Sequence, residues 1–180
     1  MLNSEVFYNI TSSGISTINL EDSVNQGKVV LFNLSKGKLG EDVSETFGRF
    51  IIAQLQSIAI RRAKLPPQFR KKIYLVIDEA DTFLSGNSLN VILKETRKYG
   101  LHLVLCTQNL ISGRDQEALK RNILNNTNVK ILGANGQSTL YPMSKEVDIP
   151  VEELMRTRKH EFRIKSGDKK TIKIKTKDTL

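Results

Sequence analysis

Four short apolar runs, separated by stretches of helical periodicity, constrain this 180-residue chain more than any other feature. They are Lys28–Asn33, Lys72–Ile77, Leu101–Thr107 and Asn128–Leu132. Each is almost continuously apolar rather than alternating, the pattern of strands buried on both faces. The order strand–helix–strand–helix–strand–helix–strand predicts right-handed crossovers. The expected fold class is therefore α/β, a mainly parallel sheet flanked by helices.

The intervening helices carry their own signals. Glu41–Ala63 has Val43, Phe47, Phe50, Ile51, Leu55 and Ile58 at three- and four-residue steps, a stripe that faces a core. Gly40 caps it, Glu41 and Asp42 suit the positive end of its dipole, and Pro66–Pro67 prevent its continuation. A second helix is expected over Asn87–Tyr99, with Leu89, Ile92 and Leu93 inward and Gly100 as its stop. A third is expected near Gln116–Leu124, and short ones at Leu20–Asn25 and Pro150–Arg156. Glu161–Lys165 and Thr171–Lys175 alternate about the turn Ser166–Gly167–Asp168. They predict a β-hairpin with Phe162, Ile164, Ile172 and Ile174 on one face and a wet, basic opposite face. Residues 1–27 read as an irregular lead-in, 28–150 as the body of the domain, and 151–180 as a short helix and hairpin that complete it.

With 39% hydrophobic and 26% charged residues, the chain can bury a core, which excludes wholesale disorder. No apolar run approaches the roughly 20 residues of a membrane span. The single Cys106 cannot form an internal disulfide, which suits a reducing cytoplasm, and it reads as a small core hydrophobe. With two widely spaced histidines, no zinc set exists; His102 reads as a core residue of its strand. The net charge of +9 is concentrated. Residues 61–72 hold six basic and no acidic side chains, and residues 151–180 hold ten basic and five acidic. Such patches attract polyanions, although solubility alone also accounts for them.

In open parallel sheets, ligands gather outside the carboxyl ends of the strands. There the strand Ile73–Ile77 runs into Asp78–Glu79. A nucleotide-hydrolysing site needs an Asp at this place to hold Mg²⁺ through its water shell, and a second acid to orient or deprotonate the attacking water. The plainer reading is a pair that caps a loop. The next strand ends in Thr107–Gln108, and an amide there can sense a γ-phosphate or hold the lytic water. Ser35–Lys38 lies on the same edge and could touch phosphate or DNA, or be a solvated turn.

IYLVIDEAD resembles a Walker B motif with an added catalytic Glu, and ETRKYGLHLVLCTQNL resembles the helix–strand–sensor segment of HerA/FtsK-type DNA pumps. The chain is similar to the type IV secretion coupling proteins of the TraG/TraD kind, from about Lys28 to Leu132. The resemblance implies a RecA-like P-loop ATPase fold, ATP and Mg²⁺ as cofactors of the complete protein, and DNA contacted through its backbone. It further implies self-association into a hexameric ring and a membrane-bound secretion complex as partner. It gives Asp78 as the Mg²⁺-associated acid, Glu79 as the base for water and Gln108 as the γ-phosphate sensor. Arg97, in the run Arg97–Lys98–Tyr99–Gly100, becomes an arginine finger; its plainer alternative is a surface charge paired with Glu95 or Asp81.

One departure is large. A P-loop requires G-x-x-x-x-G-K-[ST], and neither Gly27–Lys28–Val29 nor Gly37–Lys38–Leu39 satisfies it. The chain therefore reads as the C-terminal portion of a DNA-translocating motor, inactive by itself. A second reading is a non-enzymatic, degenerate nucleotide fold that binds DNA or docks a partner. A third is a helicase piece, because Asp78–Glu79–Ala80–Asp81 spells a DEAD box; Cys106–Thr107–Gln108 in place of Ser-Ala-Thr argues against it.

Overall fold

A computed structural model describes Tyr8, Ser12, Gly14 and residues 18–83, 95–110 and 117–177. The chain gathers into two compact units, residues 1–106 and 107–180.

The first unit is organised by one long helix. Helix α1 (Leu20–Gln26) starts where Asn19 Oδ1 accepts the Asp22 N–H and stops at Gly27, φ 73°. A single turn, α2 (Lys36–Leu39), leads to Gly40, whose φ of 81° and ψ of 157° suit glycine alone. Helix α3 (Glu41–Arg61) follows from there as expected. It ends two residues early, in a 3₁₀ turn over Arg62–Lys64. Ile51, Leu55 and Ile58 of its stripe form the core with Leu20, Val24, Leu34, Phe47 and Leu75 around them. Phe50 departs from expectation and is half-exposed at 51%. It lies about 100° round the helix from Ile51, off the inward stripe.

Strand β1 (Ile73–Ile77) and strand β2 (Leu101–Leu105) pair in parallel, from Ile73 opposite Leu101 to Ile77 opposite Leu105. The short helix α4 (Ala80–Phe83) follows β1. Phe83 packs so close to α3 that a Cβ on Gly48 would lie 2.4 Å from its ring. The expected strand Lys28–Asn33 is corrected: the segment joins no ladder among the described residues, and Val29 and Leu31 are 88% and 89% exposed. Its anchor is Leu34, which packs on the α3 core and whose carbonyl accepts the Ser44 hydroxyl at 2.6 Å. Of the expected helix Asn87–Tyr99, residues 87–94 lie outside the described residues; Thr96–Tyr99 form a 3₁₀ turn closed by Gly100, φ 89°.

The second unit contains α5 (Glu117–Asn126), β3 (Val129–Leu132), α6 (Gln137–Val147), α7 (Val151–Leu154), β4 (Glu161–Ser166) and β5 (Ile172–Lys175). Its core is Leu132, Leu140, Met143, Val147 and Leu154. The expected hairpin is present, with Phe162 opposite Ile174 and Ile164 opposite Ile172. Strand β3 pairs antiparallel with β4, in the order β3-β4-β5, instead of extending a parallel sheet. The faces of the hairpin are also the reverse of expectation. Ile131 and Ile172 are 62% and 56% exposed. The opposite face holds Leu132 in the core and ties its cations to helix-side acids, Lys130 to Glu146, Arg163 to Glu153 and Lys165 to Asp148. Helix α6 is absent from the sequence reading, because Pro142 in its interior is a breaker signal.

Candidate functional site

The acidic pair leaves β1 on a tight turn. The Glu79 N–H donates to Asp78 Oδ1 at 3.0 Å, and the Thr82 N–H donates to the Glu79 carbonyl at 2.9 Å. Glu79 itself sits in the left-handed region, φ 47°, where few non-glycine residues are found and where functional sites store strain. The turn is held to β2 by two bonds, Ala80 N–H to the Cys106 carbonyl at 2.8 Å and Cys106 N–H to the Ile77 carbonyl at 2.9 Å. Both carboxylates are exposed, so neither suffers the desolvation that a buried pair would.

A cavity of about 840 Å³ runs along β1 to this turn. Residues 27–32 and 34–36 form one wall, α3 contributes Ser44, Gly48, Ile51, Ile52 and Leu55, and Asp78 and Glu79 also line it. Lys36 lines it too. Its ammonium bonds Glu41 Oε1 at 2.8 Å, which raises its pKa, with Glu45 and Glu79 adding to the effect. The loop Ser35–Lys38 therefore lies within the electrostatic reach of Glu79.

The other expected site residues fall as follows. Arg97 is in the 3₁₀ turn before β2; it is exposed and makes no ion pair among the described residues, so neither Glu95 nor Asp81 holds it. Gln108 belongs to the second unit. Its side chain is exposed, and its carbonyl accepts from Asn135 Nδ2 at 2.8 Å. That bond ties it to the Gly133–Gln137 loop, a role for Asn135 that spacing in the sequence does not show. Asp78, Glu79 and Arg97 belong to the first unit.

Two assignments change. Cys106 is exposed, because β2 ends at Leu105 and leaves it on the connecting turn. His102 is half-buried and stacks on Tyr74 with ring centroids 5.5 Å apart. Burial, then Lys72 and Arg97, push its pKa below the usual value. The basic run 61–72 is largely consumed by the fold. Arg61 pairs with Glu21 at 2.7 Å, and buried Arg62 bonds the Lys71 carbonyl and Asn25 Oδ1. Arg70 reaches the carbonyls of Arg62, Ala63, Leu65 and Lys98, and Lys71 that of Asn25.

Among the described residues no group of three or more His, Cys, Asp or Glu forms a metal cage. The hard carboxylate oxygens of Asp78 and Glu79 nevertheless suit Mg²⁺, which is bound by one or two carboxylates together with phosphates and water. No helix among the described residues is long and apolar enough to cross a membrane.

Residues 72–179 match the family described as the TraM recognition site of TraD and TraG. The chain belongs to this family. The TraG/TraD match starts at the strand that ends in the acidic pair and runs through the hairpin. The fold agrees with it. The bacterial conjugative coupling protein TrwBΔN70 superposes with a TM-score of 0.57 at 14% identity, over 71% of this chain and 37% of that one. VirB4 of Thermoanaerobacter pseudethanolicus gives 0.62 at 20% identity, over 80% and 40%. The genome packaging NTPase B204 of Sulfolobus turreted icosahedral virus 2, in complex with ATP-γS, gives 0.58 at 16% identity, over 90% and 74%. The chain thus spans about two fifths of the TrwB and VirB4 chains. No curated protein sequence matches it. The expected kinship with TraG/TraD coupling proteins, and an α/β fold shared with RecA-like ATPases, are borne out.

Proposed function

We propose that this TraG/TraD-family chain is the Walker B and sensor portion of a conjugative coupling ATPase that moves DNA at the cytoplasmic side of a secretion complex. The observation that carries it is the Asp78–Glu79 turn at the end of β1, beside the cavity, inside the family-matched region. Asp78 is the acid that holds Mg²⁺ through its water shell. Glu79 orients and deprotonates the attacking water, and Gln108 senses the γ-phosphate. Arg97, without an ion pair among the described residues, acts as the finger toward the nucleotide of a neighbouring subunit in a hexameric ring. Mg²⁺ and ATP, when bound, supply charge neutralisation and the phosphoryl group. The family's description adds a TraM-type protein as a partner of residues 72–179.

The P-loop motif missing from this sequence favours one second reading, a docking module without catalysis. Mating assays with the gene in its native replicon separate the two. Glu79→Gln keeps the shape and removes the base, so transfer frequency falls about a hundredfold or more at unchanged protein level. Undiminished transfer by Glu79→Gln leaves only the docking module.

A further inference from the structure

Residues 156–177 contain ten basic and two acidic side chains. Three of the ten are engaged in ion pairs, Arg163 with Glu153, Lys165 with Asp148 and Lys173 with Glu161. Arg156, Arg158, Lys159, Lys169, Lys170, Lys175 and Lys177 are exposed and have no ion pair among the described residues.

The fold collects five of these seven at one end of the hairpin. The Thr176 N–H donates to the His160 carbonyl at 2.9 Å, and Glu161 lies opposite Lys175. The loop carrying Arg156, Arg158 and Lys159 therefore lies against the end of β5 that carries Lys175 and Lys177. Glu161 fastens the two. One of its oxygens accepts the Arg158 backbone N–H at 3.1 Å and the other takes the Lys173 ammonium at 2.9 Å. The Lys173 bond, then the Arg158 N–H, hold the Glu161 carboxyl below the usual range. One carboxylate thus joins the backbone of the loop at Arg158 to the side chain of Lys173 on β5. Glu152 and Glu153 precede the loop on α7, and Glu153 is already paired with Arg163.

We propose that this loop-and-strand end, Arg156, Arg158, Lys159, Lys175 and Lys177, is the surface that grips the sugar-phosphate backbone of DNA. It rests on the reading of the chain as part of a DNA-moving machine and places the contact, because four of the six cations of the other basic run, 61–72, are already engaged: Arg61 with Glu21, and Arg62, Arg70 and Lys71 with backbone carbonyls. Lys173 and Lys175 point to the face opposite Ile172 and Ile174. Exposed point charges of this kind track phosphates without reading sequence.

The test is fluorescence anisotropy of a labelled 30-base-pair duplex and its single strand, across a sodium chloride series. Arg158→Gln, Lys159→Gln and Lys175→Gln are combined in one variant. A control of equal charge change combines Lys64→Gln, Arg121→Gln and Lys145→Gln. The wild-type chain is expected to bind both DNAs with a steep salt dependence. The patch variant weakens binding more than tenfold near 100 mM salt and flattens the log–log slope by about 2–3, whereas the control changes affinity less than twofold. A third variant, Lys159→Arg with Lys175→Arg, keeps the charge and binds like wild type, which separates charge from folding. Equal losses in both neutralised variants would overturn the proposal, as would no loss in the patch variant; either result leaves the coupling-ATPase reading to the mating assay. A wild-type chain that binds no DNA at low salt, yet captures a TraM-type protein through the same three residues, also overturns it and assigns the surface to a protein.

Discussion

Glu79 and Gly100 hold similar backbone conformations for different reasons. Glu79 adopts φ 47° at the functional turn, and Gly100 adopts φ 89° with Lys71 O only 2.9 Å from where a Cβ would stand. The left-handed region costs an L-residue about 1–2 kcal/mol. Glu79→Gly is therefore expected to leave urea stability unchanged or raise it by about 1 kcal/mol. Gly100→Ala adds strain and a backbone clash and is expected to cost about 2 kcal/mol or more. His102 supplies a pH dependence. Its depressed pKa means that the folded state binds the proton less readily than the unfolded one. The contribution is complete above the unfolded value near 6.5 and is lost as pH falls through the folded pKa. Urea midpoints of wild type decline more than those of His102→Gln between pH 7 and pH 5. Arg97→Gln raises the His102 pKa in an NMR titration, because one of its two neighbouring cations is gone.

At the scale of elements, the connection from α3 to β1 is held by guanidinium groups. Arg62 is 6% exposed and spans from the Lys71 carbonyl at 2.7 Å to Asn25 Oδ1 at 2.9 Å. Truncation leaves both acceptors without their donor and opens a cavity beside α1, so Arg62→Ala is expected to lower unfolding free energy by about 3 kcal/mol. The three-stranded sheet shows why alternation alone misassigns a face. The period of two separates Ile from Lys on β5, but it says nothing about which side meets α6 and α7. Glu146, Asp148 and Glu153 decide that by pairing with Lys130, Lys165 and Arg163, while Leu132 enters the core between them.

For the molecule as a whole, nucleotide affinity is the sharpest expectation. The sequence has no G-x-x-x-x-G-K-[ST] run, the loop whose backbone cradles the β- and γ-phosphates in P-loop ATPases. Titration calorimetry with Mg-ATP is expected to show no sub-millimolar binding. A tighter affinity that disappears in Asp78→Ala would refute this. The α3 stripe, the β1 strand with its acidic end, the glycine stops and the two strands of the hairpin were all legible in the sequence. Each depends on neighbours a few residues apart, where periodicity and dihedral preference act. Only the tertiary structure decided that residues 28–33 join no ladder among the described residues, that β3 pairs with β4, that Cys106 is exposed and that four of the six cations of one basic run are engaged within the fold. Those outcomes depend on which distant backbone or carboxylate is available to pair, a long-range competition that local sequence does not encode.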